Sequence, residues 1–171
     1  MTNKIAMIIA SNKFRDEEYA DPKNVFESSG FSVTTASSTL NPCTGMMGGI
    51  VKPDILYTSV DPQDYDAVIF VGGGGSREYF DDADAQGIAK KTLAANRVLG
   101  AICIAPSILA NAGLLKGKKA TVFSSQAENL LEKGACVMPD NVVRDGNIVT
   151  GNGPGAGDRF GELVVDTIRS V

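Results

Sequence analysis

The sequence predicts an α/β domain whose doubly wound, mostly parallel sheet is sandwiched by helices. Short, uncharged apolar runs, the pattern of strands buried on both faces, occur at residues 5–10, 67–71 and 98–102. Helical patterns lie between them, at residues 15–29 and 82–96. Strands that alternate with helices are typical of a parallel sheet covered by helices.

The composition excludes several classes of function. The 171 residues suffice for one domain with a real core, so we expect a single domain over residues 1–171. The 16 basic and 20 acidic residues form no basic cluster, which argues against a nucleic-acid partner. The apolar run Ile5–Ala10 is too short for a membrane span or a signal-peptide core. Three cysteines without CxxC spacing indicate reduced thiols, so we expect a cytoplasmic protein.

The chain contains no histidine. This absence excludes a Cys–His or Ser–His dyad built within one chain. It also removes the commonest zinc and iron ligand, so we expect no metal site. We likewise expect no cofactor.

The first half of the chain continues with one helix, one strand and an irregular stretch. Residues 11–14 leave the first strand as a loop, and an acidic helix then runs to Ser29, where Gly30 ends it. Apolar and polar residues alternate over 31–36, which predicts a second strand. The Gly-rich stretch 39–54 indicates a short strand pair or an excursion from the sheet.

The second half predicts further short elements. Strands are expected at 120–123 and 135–138, with a helix at 125–133 between them. Ser125 and Glu128 match a capping box at the start of that helix.

The end of the chain predicts a hairpin and an amphipathic helix. Residues 142–149 place Asp145-Gly146 between apolar flanks, which suits a type I′ turn. A Gly-rich loop follows at 151–157. The last helix shows apolar residues on one face, at Phe160, Leu163, Val164 and Ile168.

Cys103 lies at the predicted turn between the strand 98–102 and a helix over 104–112. Ala101 and Ala105 are small, as a nucleophile elbow requires where strand and helix approach closely. In such a turn, helix N–H groups stabilise a thiolate and lower the pKa of the cysteine. The alternative is that Cys103 is a buried, inert core residue.

Loops rich in glycine or acidic residues follow several of the predicted strands. The carboxyl ends of parallel strands meet at one edge, where open α/β sheets bind ligands, so we expect one cleft there. These loops are the acidic run ending at Glu18, the glycines from Gly72, the elbow at Cys103 and residues 152–155.

The run Gly72–Gly75 has three interpretations. A phosphate cradle is disfavoured, because no Lys-Ser/Thr pair follows and Arg77 stands where a dinucleotide fingerprint needs its third glycine. An oxyanion site is the second, in which a glycine N–H and the N–H of Ile104 hold the oxygen of a reacting carbonyl group. The third is a flexible turn.

The run Asp16-Glu17-Glu18 has two interpretations. It is a solvated helix N-terminus stabilised by the helix dipole, or one carboxyl group turns toward Cys103. A carboxylic acid there would donate to a thiolate, and a carboxylate would accept the thiol proton. In a chain without histidine, this run supplies the best proton-handling group near the cleft.

The other two cysteines lie outside the elbow. Cys43 is in a polar, Gly-flanked loop, where it is incidental or else exposed and near the cleft. Cys136 stands between Ala135 and Val137 in an apolar strand, so we expect it in the core.

These motifs resemble the PfpI/DJ-one superfamily over nearly the whole chain. Residues 101–106 resemble its elbow segment, and residues 68–73 resemble its strand ending in paired glycines. Glu18, followed by a proline and by the glycine that ends the helix, has the spacing of the family's catalytic glutamate. Gly153-Pro154-Gly155 resembles a loop bordering its site. The resemblance implies a flavodoxin-like fold related to class I glutamine amidotransferases.

The resemblance also implies residue roles and an assembly. Cys103 would be the nucleophile and Glu18 its carboxylic partner, with Glu17 as a fallback because the acidic run allows a slip of one position. Gly73 and Ile104 would supply the oxyanion N–H groups. A homodimer or larger homo-oligomer is implied as well.

One departure from the family pattern bears on activity. Peptidase-like members carry histidine directly after the nucleophilic cysteine, and this chain has Ile104 there. Intracellular peptidase or amidase activity is therefore disfavoured. Members without that histidine are assigned glyoxalase, deglycase, chaperone or redox-sensing roles. We expect glyoxalase- or deglycase-type chemistry on small reactive carbonyl compounds, with a cysteine redox sensor without turnover as the alternative.

Overall fold

The computed structural model describes residues 1–171 and contains strands, α-helices and short 3₁₀ helices in alternation. The strands are β1 Lys4–Ile8, β2 Asn12–Phe14, β3 Ser32–Ser37, β4 Cys43–Gly45, β5 Ile50–Val51, β6 Ile55–Leu56, β7 Ala67–Phe70, β8 Val98–Ile102, β9 Lys119–Ala120, β10 Cys136–Val137, β11 Val142–Asp145 and β12 Ile148–Gly151. The α-helices are α1 Asp16–Ser28, α2 Ala83–Ala94, α3 Pro106–Asn111, α4 Ala127–Glu132 and α5 Gly157–Arg169. The 3₁₀ helices span Tyr57–Ser59, Pro62–Asp64, Gly74–Tyr79, Ser124–Gln126 and Pro154–Ala156.

The central sheet has the order β11-β12-β8-β7-β1-β3-β6. Every neighbouring pair is parallel except β11 with β12. Two groups of helices flank it, with α1 packed on α5 and α2 on α3. The predicted doubly wound, mostly parallel α/β fold is confirmed. Because β1, β7, β8 and β12 run in the same direction, the residues that follow them lie at one edge of the sheet.

The apolar runs form the middle of the core. Residues 5–10, 67–71 and 98–102 are buried along their whole length. Strands covered by helices on both faces need apolar side chains at consecutive positions, so these runs do not alternate with polar residues. Gly30 ends the first helix region as predicted, with φ +92°, a conformation that glycine adopts without strain.

The segment predicted as a loop at 11–14 contains the strand β2. It pairs with β4, and β4 pairs with β5, so the irregular stretch contains the expected short strand pair in a small three-stranded sheet. The loop prediction was wrong because Phe14, at the end of β2, is buried in the core, which the polar residues before it conceal.

The second half departs from the predictions in three places. The strand expected at 120–123 ends at Ala120. The capping box is absent, since α4 follows a 3₁₀ turn and its N-cap, Gln126, makes no side-chain cap. In the hairpin Asp145 pairs with Ile148, so the two-residue turn is Gly146-Asn147, one residue later than predicted. The predicted type I′ turn was wrong as well, because it needs a positive φ at both central residues and only Gly146 has one, at +60°.

None of the helices combines the length and the apolar character needed to cross a membrane.

Candidate active site

Cys103 occupies a strained turn directly after β8. Its φ is +65°, a left-handed conformation that is uncommon outside glycine. Two hydrogen bonds hold its backbone: the Cys103 N–H donates to the Gly151 carbonyl (2.9 Å), and the Phe123 N–H donates to the Cys103 carbonyl (2.8 Å). The helix begins at Pro106, two residues later than predicted. The position of Cys103 between strand and helix is the one that the small flanking residues predict.

Two backbone N–H groups lie near the sulfur. They belong to Gly73 and Ile104, and both favour the charged form of the Cys103 thiol. Gly73 has φ +100°, and a side chain there would collide with the backbone of Lys13 and Arg15. The geometry therefore brings together the two donors that the sequence predicts for an oxyanion site.

Glu18 lies beside the sulfur, in the first turn of α1, and is fully buried. Neither carboxyl oxygen has a hydrogen-bond partner of ordinary geometry. Burial raises the pKa of Glu18 to about 7, although contact with the Cys103 thiol and the charge of Arg15 pull in the other direction. A carboxyl group with this pKa exchanges its proton near neutral pH.

Glu17, the fallback for the carboxylic partner, points elsewhere. Its carboxylate accepts from Arg15 Nε at 2.7 Å, and its side chain is 39% exposed. This hydrogen bond is the main reason that the pKa of Glu17 is lowered. The carboxyl group beside the sulfur is therefore that of Glu18.

The predicted lowering of the Cys103 pKa was wrong. The pKa is raised to about 12, first because the side chain is buried, then because of the charge of Glu18 and its contact with the thiol. The N–H groups of Gly73 and Ile104 act in the opposite direction but do not offset these effects. The sequence pattern predicts the N–H groups that lower the thiol pKa. It predicts neither the burial of Cys103 nor the buried charge of Glu18, which raise it. At neutral pH the proton that moves easily is the one on Glu18.

A cavity of about 260 Å³ opens in front of Cys103. Pro154, from the predicted Gly-rich loop, lies in its wall, so the loops after β7, β8 and β12 do meet there. The sequence predictions missed several lining residues, because none belongs to a recognisable motif. These are Arg15, Met46, Arg77, Phe123 and Ser125.

The other two cysteines do not line this cavity. Cys43 is fully buried in β4, so the alternative that placed it exposed and near the cleft is wrong. Cys136 is exposed, and its placement in the core was wrong, because the strand β10 is only two residues long and pairs with β9 alone. No group of three potential ligand side chains is arranged to hold a metal ion.

Residues 3–167 match the sequence profile of the DJ-1/PfpI family. The chain belongs to this family. A ThiJ/PfpI domain protein from Brachyspira murdochii has a crystal structure similar to this DJ-1/PfpI chain, with a TM-score of 0.96 and 36% identity. That similarity covers 99% of this chain and 98% of the other.

Two further proteins are similar to this chain, one in sequence and one in structure. The uncharacterized protein MJ0967 of Methanocaldococcus jannaschii is 40% identical over 169 residues, which are 97% of this chain and 82% of the relative. DJ-1 of Schizosaccharomyces pombe has a TM-score of 0.85 at 21% identity, covering 98% of this chain and 95% of that one. At that identity the similarity concerns the fold alone.

Proposed function

We propose that this DJ-1/PfpI protein is an enzyme that acts on small reactive carbonyl compounds by glyoxalase- or deglycase-type chemistry. One observation carries the proposal. The fully buried Glu18 carboxyl group, with a pKa of about 7, lies beside the only thiol that lines the cavity. Strongly shifted carboxyl groups next to a nucleophile are typical of sites that transfer protons.

The first step is addition of the thiol to an aldehyde. The Cys103 sulfur forms a bond to the carbonyl carbon, the C=O π electrons move to the oxygen, and the Glu18 carboxylate accepts the thiol proton. The N–H groups of Gly73 and Ile104 lie beside the sulfur, where they would donate to that oxygen. Because Glu18 accepts the proton during attack, a high thiol pKa does not prevent the reaction.

With methylglyoxal the hemithioacetal can isomerise. Glu18 first passes the thiol proton to the new alkoxide, which gives the neutral hemithioacetal and restores the carboxylate. The carboxylate would then remove the proton from the sulfur-bearing carbon and return it to the neighbouring carbon, while the hydroxyl proton moves from the first oxygen to the second, and the adduct becomes a lactoyl thioester. Water then cleaves the thioester, releases lactate and restores the thiol. The net reaction is methylglyoxal plus water to lactate, and it needs no external oxidant or reductant.

The test compares methylglyoxal loss and lactate formation in the wild type, Cys103→Ser and Glu18→Gln. We expect both variants to lose at least about 100-fold in rate, since each lacks a group that takes part in the bond changes. The wild-type rate should rise with pH through about 7, because the acceptor is the ionised form of Glu18.

Glu17→Gln and Cys136→Ser are matched controls, because these side chains lie outside the proposed chemistry. Both should retain wild-type turnover within about threefold. Wild-type turnover no faster than that of Cys103→Ser would overturn the proposal.

A cysteine redox sensor is the second candidate. The N–H groups of Gly73 and Ile104 lie near the sulfur, where they would also donate to an oxygen bound to it. Mild peroxide followed by peptide mass spectrometry should then oxidise Cys103 ahead of the exposed Cys136. Faster oxidation of Cys136 would count against this candidate.

A further inference from the structure

The cavity in front of Cys103 is lined by two arginines and by no aspartate or glutamate. Arg77 is exposed, and its guanidinium group lies 5.5 Å from the centre of the Phe80 ring without any ion-pair partner. Arg15 donates from Nε and Nη2 to Glu17, which leaves Nη1 without a protein partner. Both guanidinium groups therefore retain donors that a ligand can use.

These positive charges stand out in an acidic chain. The formal net charge is −4, with 16 basic and 20 acidic residues. Of the acidic side chains near the cavity, Glu17 is bound to Arg15, and Glu18 is buried beside the sulfur. Unpaired guanidinium donors at the mouth of a small cavity attract anions, and carboxylate and phosphate groups match their forked geometry.

We propose that the substrate carries an anionic group, a carboxylate or a phosphate, next to its reactive carbonyl, and that Arg15 and Arg77 bind this group. The inference rests on the proposed function, in which Cys103 attacks that carbonyl. A cavity of about 260 Å³ suits a carbonyl compound of a few carbon atoms with one such group. Met46 and Phe123, which also line the cavity, offer apolar surface for its carbon atoms.

The test compares iodoacetate with iodoacetamide, which have nearly the same shape but differ in charge. In both reactions the Cys103 thiol first loses its proton to solvent, the sulfur then bonds to the methylene carbon, and iodide leaves. Peptide mass spectrometry follows Cys103 separately from Cys136. We expect the ratio of the iodoacetate rate to the iodoacetamide rate at Cys103 to fall at least about fivefold in Arg77→Gln.

Arg15→Gln should lower the ratio as well, and Arg169→Gln is the matched control. Arg169 lies at the far end of α5 and bonds to the Ser29 carbonyl, so removing its charge should leave the ratio unchanged. Salt should slow only the iodoacetate reaction of the wild type. A ratio that is unchanged in Arg15→Gln and Arg77→Gln, or lowered equally in Arg169→Gln, would overturn the inference.

Protection of Cys103 from iodoacetamide identifies the anionic group. Glyoxylate represents a carboxylate, glycolaldehyde phosphate a phosphate, and glycolaldehyde is the neutral control. If either anion protects Cys103 more strongly than glycolaldehyde does, and Arg77→Gln loses this difference, the inference is supported and the anionic group is identified. Equal protection by all three contradicts it. Because alkylation needs no turnover, a protein that fails to consume methylglyoxal can still show the charge preference, so the two proposals fail separately.

Discussion

Cys103 and Glu18 are two acids buried side by side, and burial raises the pKa of both. The carboxyl group titrates near pH 7 and the thiol near pH 12, so at neutral pH the pair gains or loses its first proton at Glu18. Such a pair keeps its sulfur protonated at neutral pH. In the mechanism that we propose, the carboxylate beside it accepts the proton during attack.

The reactivity of Cys103 should depend on the charge of Glu18. In Glu18→Gln the negative charge that raises the thiol pKa is gone, so the pH profile of iodoacetamide alkylation at Cys103 should move to lower pH by one unit or more. Alkylation at pH 8 then becomes faster although turnover is lost. The measurement is the alkylation rate of the Cys103 peptide between pH 6 and 10.

Glu17→Gln serves as the control, because its carboxylate is bound to Arg15. Its alkylation profile should stay close to that of the wild type. An equal shift in both glutamate variants would mean that the thiol responds to total charge and not to the buried carboxyl group.

At the scale of the elements, the site depends on the close approach of β7, β8 and the start of α1. The Arg15 N–H donates to the Gly72 carbonyl at 3.0 Å and ties the helix start to the end of β7. A Cβ at Gly72 would lie 2.6 Å from Cys103 Cβ, from Glu18 Oε1 and from the Ile102 carbonyl oxygen. Glycine is needed there because three elements converge with no space for a methyl group.

Gly72→Ala should therefore destabilise the protein by about 2–3 kcal/mol and abolish turnover, since the inserted methyl group separates Cys103 from Glu18. Urea denaturation and the methylglyoxal assay measure the two effects. Gly87→Ala is the control: it lies in α2, where an added Cβ meets no atom within 4 Å, and should stabilise by up to about 1 kcal/mol. Full activity in Gly72→Ala would contradict the packing argument.

For the molecule as a whole, the shifted pKa of Glu18 couples stability to pH. The folded state holds the proton up to about pH 7, whereas the unfolded chain loses it near pH 4.5. The folded state therefore binds more protons between these values, and stability falls as pH rises across them. A shift of this size corresponds to about 3 kcal/mol.

Urea denaturation of the wild type and Glu18→Gln at pH 4.5 and pH 8 measures this coupling. The wild type should lose about 3 kcal/mol more than the variant on going to pH 8. The pKa of Glu17 is lowered, so its effect on stability has the opposite pH dependence: the ionised carboxylate stabilises the folded state at high pH. Glu17→Gln should therefore lose some stability at high pH. The same pH dependence in the wild type and Glu18→Gln would show that this carboxyl group does not titrate near neutrality.

Part of the exposed apolar surface is a candidate subunit interface. We propose that the chain forms a homo-oligomer. Met47 and Ile50, in the β4–β5 hairpin, are 64% and 73% exposed. Asp16 holds this hairpin in place by accepting from the N–H groups of Met47 (2.7 Å) and Gly49 (2.8 Å). An ordered apolar patch of this kind is a candidate interface with a second copy.

Ile50→Asp should shift the mass of the particle, measured by light scattering after size exclusion, to that of one chain. The reason is that a charge in an apolar interface loses its hydration without gaining a partner. Leu131→Asp is the control, since Leu131 is 59% exposed on α4, outside the hairpin. A wild type that is monomeric at every concentration would contradict the proposal.

The sequence alone determines the central sheet. Strands buried on both faces need uninterrupted apolar runs, and such runs can be identified directly in the amino-acid sequence. It also determines the turn that carries Cys103, through the small residues on either side. Only the tertiary structure decides that Glu18 and not Glu17 lies beside the sulfur, that the Cys103 pKa is raised, and that Cys136 is exposed. Burial and charge at a side chain come from segments distant in the chain, and those neighbours exist only after folding.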